Sequence, residues 1–276
     1  MLLTGCAHDS VSHTLFLGDF MIVFNTDLDN TIIYSYKHDI GTDKINVELY
    51  QGREISFISK ETFALLQKVK EQMLIVPTTT RTIEQYNRID LGIGDFKYAL
   101  TCNGGILLVD GKSDESWYKT SLDLVKESND IVAVASDYLD KCPARYFELR
   151  YIENLFLFTK CSEPETVVKD LIQVLNSELV DVFNNGDKVY VVPRKLSKGR
   201  AIQRFQEYIK ADYVIAAGDS EFDISMVTEA NKGIVPHDFI KEYEVEAQTG
   251  IWEAPKDKLF SEEVLKRCLE IKAELS

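Results

Sequence analysis

The run Asp27-Leu28-Asp29-Asn30-Thr31 sets two carboxylates two residues apart, directly behind the mostly apolar stretch Met21-Ile22-Val23-Phe24-Asn25-Thr26. A short, nearly continuous apolar run reads as a strand buried on both faces of a parallel sheet. Ligands of open α/β sheets bind beyond the carboxyl ends of such strands, so both carboxylates are expected to face one crevice. There an aspartate can attack a phosphoryl group and carry it covalently. A second one two residues on can protonate the leaving oxygen and later deprotonate water. The group Gly218-Asp219-Ser220-Glu221-Phe222-Asp223 follows another buried run, Tyr213-Val214-Ile215-Ala216-Ala217, in the same way. Three carboxylates so close repel one another unless a cation sits among them, and Mg²⁺ suits oxygen ligands shared with a substrate phosphate. A helix's acidic first turn, satisfied by the dipole, is the structural alternative. It covers Glu221 well, and Asp219 and Asp223 poorly.

Two further strand ends carry candidates. Thr78-Thr79-Thr80-Arg81 closes the run Met73-Leu74-Ile75-Val76 and precedes a helix. Hydroxyls and backbone N–H groups at a helix N-terminus make a phosphate site, although Thr79 or Thr80 can also serve simply as a helix cap. Lys198 opens a helix, where a cation is electrostatically misplaced and so should have a compensating anion. Lys195 reads as a solvated surface lysine.

The elements that position these residues alternate. Ser59 caps a helix with apolar positions Phe63, Leu66, Val69 and Met73; the second strand follows, then a helix over about 82–90. Lys97–Thr101 is a third strand, stopped by Asn103-Gly104-Gly105. This order predicts a parallel sheet with right-handed crossovers. From 106 to 185 the pattern changes to strand, helix (122–139), strands (145–150 and 154–160), helix (164–177) and strand. Adjacent strands between helices predict an α+β unit on an antiparallel sheet. Asn184-Asn185-Gly186-Asp187 is a hairpin signal between 179–183 and 188–192. Alternation resumes with a helix at 199–210, a strand at 213–217, a helix at 221–230, a strand at 232–236 and a closing helix at 261–274. The expected layout is an extension (1–20), an α/β core (21–105 and 186–276) and an inserted α+β cap (106–185).

A carboxylate pair, a hydroxyl, a lysine and an acidic pair, delivered in that order, resemble the haloacid dehalogenase superfamily. The likeness is to its Cof-like, sugar-phosphatase branch, with a large α+β cap between the second and third motifs, and it spans about 21–236. It implies a Rossmann-like parallel-sheet core with an inserted cap. It makes Asp27 the nucleophile, Asp29 the general acid/base, and Thr79 and Lys198 the phosphate ligands. Mg²⁺ would be held by Asp27, Asp219, Asp223 and the backbone carbonyl of Asp29. Asn103-Gly104 matches the Asn-Gly bordering the cap and would line the substrate entrance. Two positions depart from the pattern. Asn30 replaces a glycine, which Asn's tolerance of unusual backbone angles accommodates. Phe222 replaces an asparagine, which removes a polar group beside the metal. The implied activity is Mg²⁺-dependent hydrolysis of a small phosphorylated metabolite, a sugar phosphate, through an aspartyl phosphate. A phosphomutase shares this site. A phosphoryl-accepting signalling domain is disfavoured by the second carboxylate and the cap, and Phe222 is the single hint of a catalytically weak binding protein.

Composition agrees. The chain's 276 residues carry a net charge of −14 with no basic run, which disfavours nucleic acid. Its 45% hydrophobic and 28% charged residues read as globular, and no apolar stretch approaches the roughly 18 residues of a membrane span. Cys6, Cys102, Cys142, Cys161 and Cys268 lack metal-ligand spacing and are expected to be free thiols in the cytoplasm. Leu3-Thr4-Gly5-Cys6 looks like a lipoprotein cleavage site, but too few residues precede it to form a signal. The four histidines show no ligand spacing, and Tyr34–His38 reads as a solvated surface loop.

Overall fold

The computed structural model describes residues 20–246 and 250–276, so nearly all of the expected N-terminal extension lies outside the described residues. The chain begins with β1 (Ile22–Thr26), buried throughout. It continues through β2 (Tyr34–Ser35), β3 (Lys44–Tyr50) and β4 (Arg53–Ser59), which form a small antiparallel sheet in the order β2-β4-β3. Ser59 accepts the Thr62 N–H and starts α1 (Lys60–Gln72), as its residue type requires. β5 (Leu74–Pro77) leads to α2 (Ile83–Tyr86), a single turn capped reciprocally by Thr82 and Gln85. This helix stops short of residue 90 because Ile89 bridges to Glu48 and the Asp90 N–H bonds the Val47 carbonyl on β3.

β6 (Tyr98–Thr101), β7 (Ile106–Val109) and β8 (Lys112–Ser113) make another antiparallel sheet. α3 (Glu115–Val125) and α4 (Asn129–Lys141) replace the single helix expected over 122–139; a 3₁₀ turn at Lys126–Ser128 separates them. Next come β9 (Arg150–Ile152), β10 (Phe156–Lys160), α5 (Pro164–Val174), β11 (Val180–Asn185) and β12 (Lys188–Pro193). α6 (Lys198–Ile209), β13 (Tyr213–Ala217), α7 (Ile224–Glu229) and β14 (Lys232–Val235) complete the first pass. α8 (Phe239–Glu242), β15 (Ile251–Glu253) and α9 (Phe260–Glu274) close the chain.

The central sheet has five strands in the order β15-β14-β13-β1-β5, every pair parallel. One face buries Phe24, Ile75 and Ile215 against α1 and α9; the other buries Val23, Val76 and Val214 against α6 and α7. Covering both faces is what lets these strands be apolar throughout. The second sheet, β11-β12-β10-β9, is antiparallel, and Leu157, Val189 and Val191 on one of its faces pack on α4 and α5.

Contacts cross both of the boundaries expected at 106 and 186. The hairpin turn at Gly186, with φ of 57°, pairs β12 with β11 along its whole length, so the chain leaves the antiparallel sheet only after Pro193. At the other end, Leu107 of β7 and Trp117 of α3 belong to the cluster that includes Ala201, Ile202 and Phe205 of α6. Among the described residues no helix is long and apolar enough to cross a membrane.

Gly104 holds this junction. Its φ is +81°, Trp117 Nε1 donates to its carbonyl at 3.0 Å, and a Cβ there would sit 2.2 Å from that of Ala201. Gly104→Ala combines left-handed backbone strain with overpacking and should cost about 2–4 kcal/mol in urea denaturation. Adding Ala201→Gly should recover part of that loss, because it removes the clash and leaves the backbone strain.

Candidate active site

Three pieces of backbone converge at the carboxyl ends of β1 and β13. Asp27 extends β1, its N–H bonded to the Ala217 carbonyl at 2.9 Å, so the parallel ladder aims its side chain. After β13, Gly218 lets the chain fold back: a Cβ there would lie 2.3 Å from Asp223 Cγ. Asp223 Oδ2 then accepts from the Asp219 N–H (3.1 Å), the Ser220 N–H (3.0 Å) and Ser220 Oγ (2.8 Å). The third piece is the start of α6. Gly199 lies so close to α7 that a Cβ would meet the Ser225 carbonyl at 2.4 Å, which delivers Lys198 into the same crevice.

Lys198 finds the anions that its position demands. Its ammonium donates to Asp27 Oδ1 and to Asp223 Oδ1, both at 2.6 Å, and the residue is 1% exposed. Carboxylate oxygens of Asp27, Asp219 and Asp223 all lie within 4.8 Å of one another. Burial raises the Asp27 carboxyl to about 7, with Lys198 opposing and Asp223 and Asp29 adding to the rise. Burial, then Asp27 and Asp223, push Asp219 well above the carboxylate range. Burial alone would depress the Lys198 ammonium, but Asp223 and Asp27 outweigh it and hold it above its ordinary value. Once all three carboxylates are ionised, the single ammonium leaves an excess of two negative charges, the complement of one divalent cation, and the raised values of Asp27 and Asp219 express the cost of that ionisation without one. All-oxygen donors of this kind fit Mg²⁺.

Asp29 lies apart from that cluster. Its side chain is half exposed, and Arg81 grips it with both prongs, Nε to Oδ2 and Nη2 to Oδ1, each at 2.7 Å. The same guanidinium reaches Glu48 through Nη1 (2.8 Å) and Nη2 (3.0 Å). Glu48 is fully buried, and it also accepts from Ser56 Oγ (2.6 Å) and Arg88 Nε (3.1 Å). The motifs assign no role to Arg81, Glu48 or Arg88. Arg81 was visible beside the threonine run, whereas nothing local in the sequence marks Glu48.

Thr79 is fully buried at the end of β5, and its Oγ1 accepts from the Arg81 N–H at 3.1 Å. Among the described residues its own hydroxyl proton has no acceptor; the cap of α2 is Thr82. Thr31 Oγ1 reaches Asp219 Oδ1 at 3.3 Å, tying the first motif to the last. Asn103, which the resemblance sets at the substrate entrance, is drawn inward. It is buried in a left-handed turn, donates to the Leu196 carbonyl at 3.0 Å, and bonds the Thr79 carbonyl through its N–H at 3.0 Å. Asn30 takes a φ of 58°, the angle for which its pattern reserves glycine. Phe222 points away from the carboxylates, packing edge-on against Phe183 and Tyr190 of the antiparallel sheet at 4.6 and 5.0 Å.

A family model for haloacid dehalogenase-like hydrolases matches residues 115–244, which hold Lys198, Asp219 and Asp223. Over those residues, just under half of the chain, the sequence is similar to haloacid dehalogenase-like hydrolases. Its fold is similar to that of the sucrose-phosphatase of Synechocystis sp., solved with sucrose and phosphate, at a TM-score of 0.66 and 15% identity. That superposition covers 91% of this chain and 98% of the other. A superfamily phosphatase from Bacteroides thetaiotaomicron gives 0.53 at 14% identity, covering 96% and 99% of the two chains. Trehalose-6-phosphate phosphatase of Aspergillus fumigatus gives 0.52 at 14%, covering 92% and 93%. In sequence, 141 residues (49% of this chain) are 18% identical to a Dictyostelium discoideum alpha,alpha-trehalose-phosphate synthase [UDP-forming]. The match spans only 18% of that relative's length.

The Arg81–Glu48 contact yields a pH prediction. Burial alone raises the Glu48 carboxyl, but hydrogen bonds from Arg81 and Ser56 prevail and hold it below its ordinary 4.5. A depressed folded-state value stabilises the protein above the unfolded pKa, and that contribution fades as pH falls through the folded value. Glu48→Gln should therefore lose about 3 kcal/mol at pH 7 in urea denaturation. The difference from wild type should shrink once the pH falls below 4.5.

Proposed function

We propose that this protein is a Mg²⁺-dependent phosphohydrolase that cleaves a small phosphate monoester, a sugar phosphate, through an aspartyl phosphate. The observation that carries the reading is the buried set Asp27, Asp219, Asp223 and Lys198 at two parallel strand ends, with its excess of two negative charges. Bound there through those three carboxylates and the Asp29 carbonyl, Mg²⁺ would neutralise charge on the transferring phosphoryl group. The sucrose- and trehalose-phosphate phosphatases that share the fold support a sugar as the leaving group. The unpaired state of the four described cysteines supports a reducing compartment such as the cytoplasm.

The chain's own residues divide the work. Lys198 engages one oxygen of Asp27, and the other has no donor among the described residues and is free to attack phosphorus. The ester bond breaks as the Asp27–phosphorus bond forms, and Asp29, having exchanged one prong of Arg81 for a proton from solvent, gives that proton to the departing oxygen. Asp29 then takes a proton from water, whose oxygen displaces Asp27 and releases inorganic phosphate. Lys198 and the Thr79 hydroxyl offer donors to the phosphoryl oxygens. Arg81 fixes where Asp29 points.

Phosphate release should stop in excess chelator and return with Mg²⁺; undiminished release in chelator would refute the metal's role. Asp219→Asn should weaken Mg²⁺ dependence more than Glu221→Gln. Asp27→Asn should lose at least about 10⁴-fold in kcat. Asp29→Asn should lose about 10²–10⁴-fold on esters with poor leaving groups and less on activated ones. If both aspartate variants hydrolyse esters at the wild-type rate, the phosphohydrolase reading fails.

A further inference from the structure

The face of the antiparallel sheet that α4 and α5 leave bare carries an ordered row of side chains. The strand registers set Phe183 of β11 opposite Tyr190 of β12, Tyr190 opposite Phe158 of β10, and Phe158 opposite Arg150 of β9. Strand alternation turns this row away from Leu157, Val189 and Val191, which face the helices. Its rings are in sequential contact: Phe183 to Tyr190 at 5.7 Å, Tyr190 to Phe158 at 5.3 Å, and Phe158 on to Phe147 at 5.9 Å. All four are only partly buried. The next row on the same face is polar, with Asn185, Lys188 and Lys160 in register.

One contact locates this face over the chemistry. Phe222 precedes Asp223 by a single residue, and its ring meets Tyr190 at 5.0 Å and Phe183 at 4.6 Å. Among the described residues the Tyr190 hydroxyl has no hydrogen-bond partner. Burial, then the charges of Asp29 and Asp187, push that phenol above its ordinary range. At the Arg150 end, a cavity of about 690 Å³ opens between β9 and the core, walled by Phe147 and Arg150 on one side and Tyr50 and Arg88 on the other. It adjoins the row through Phe147 and Arg150, with Phe183, Tyr190 and Phe158 outside its walls, so it offers room to the far end of a group laid along the row.

We propose that the row Phe183–Tyr190–Phe158 is the platform on which the substrate's leaving group stacks, with Tyr190 the specificity-determining residue and Phe222 the positioning residue that holds it beside the carboxylates. The proposal rests on the phosphohydrolase reading for the identity of this group as a leaving group. Its chemistry follows from the face itself. A saturated ring bearing hydroxyls lays its C–H side on aromatic rings and turns its hydroxyls to the Tyr190 phenol, the Asn185 amide and the ammonium groups of Lys160 and Lys188. An acyclic alcohol of a few carbons fills little of the row. The platform therefore selects sugar phosphates over ring-free phosphate esters, and it gives Phe222 a reason to stand where its pattern has asparagine.

The test compares hexose and disaccharide 6-phosphates with glycerol 3-phosphate, by steady-state kinetics with Mg²⁺. Tyr190→Ala should lower the ring-to-acyclic ratio of kcat/KM about tenfold or more, chiefly through KM. Tyr190→Phe, which keeps the ring and loses the hydroxyl, should lower it only about threefold. Phe222→Asn should shift the same ratio in the same direction. Equal effects on both ester classes would reduce these residues to structural ones and overturn the platform. Saturation-transfer NMR with unphosphorylated glucose and sucrose reads the contact without turnover. Transfer to ring C–H protons in wild type that is lost in Tyr190→Ala supports the platform, even if no ester is hydrolysed and the phosphohydrolase reading falls. No transfer to either sugar in wild type overturns it, even if phosphate is released.

Discussion

A buried excess of negative charge governs this molecule. Asp27, Asp219 and Asp223 bring oxygens within 4.8 Å of one another where Lys198 is the balancing cation in hydrogen-bond contact. Like charges so placed, and so withdrawn from water, oppose folding unless the backbone leaves them no escape. It leaves them none. Asp27 is locked into the ladder between β1 and β13, and Asp223 is tethered by two backbone N–H groups and a hydroxyl. The parallel topology is what makes this possible, since only parallel neighbours present their carboxyl ends side by side. The three packing glycines have the same logic. Gly218 and Gly199 let Asp223 and Lys198 approach, and Gly104 lets the chain leading to the second sheet cross α6.

Asp29 is governed by a different network, and the difference suits a different role. The chain of contacts Asp29–Arg81–Glu48–Arg88 runs from a half-exposed carboxylate to a fully buried one. Its inner end is fixed by Ser56 on β4 and its outer end faces the crevice. An ion pair exposed at one end is weak as a source of stability, whereas a two-pronged guanidinium fixes direction well. The small β2-β4-β3 sheet thereby becomes part of the site, because it supplies Glu48 and thus orients Arg81.

How far the sequence disclosed this structure depends on whether a residue's role was local. The ends of β1, β5 and β13 were legible because apolar runs followed by polar residues announce buried strands, and Lys198 was legible because a cation at a helix start needs an anion. Glu48 was not. In Lys44-Ile45-Asn46-Val47-Glu48-Leu49-Tyr50 the alternation assigns Glu48 to the side opposite Val47, yet both are buried. A register shift on either side of Glu48 turns it inward, and that irregularity arises from pairing with β4 rather than from β3 itself. The boundary expected at 186 is the opposite case. The Asn-Asn-Gly-Asp signal already required 188–192 to pair with 179–183, and a chain division there cuts through a hairpin the sequence declares. Asn103 shows a third limit: its place in the pattern implied an entrance, while its amide and N–H are occupied holding backbone at Leu196 and Thr79.

Phe222 joins these threads. Read against a motif, it is the loss of a polar group beside a metal; in the fold, the ring is turned out of the carboxylate cluster altogether. Asp223 keeps every hydrogen bond that fixes it without help from residue 222, since Ser220, the Asp219 N–H and Lys198 supply them. The position is therefore free to serve the other side of the crevice, where Phe183 and Tyr190 receive the ring edge-on. Edge-to-face contact has a preferred geometry, so it sets the spacing between sheet and loop as well as their attraction. The loop that aims the acidic residues thus also aims the surface above them. In this chain the placement of the charged cluster and the placement of the antiparallel sheet are one constraint.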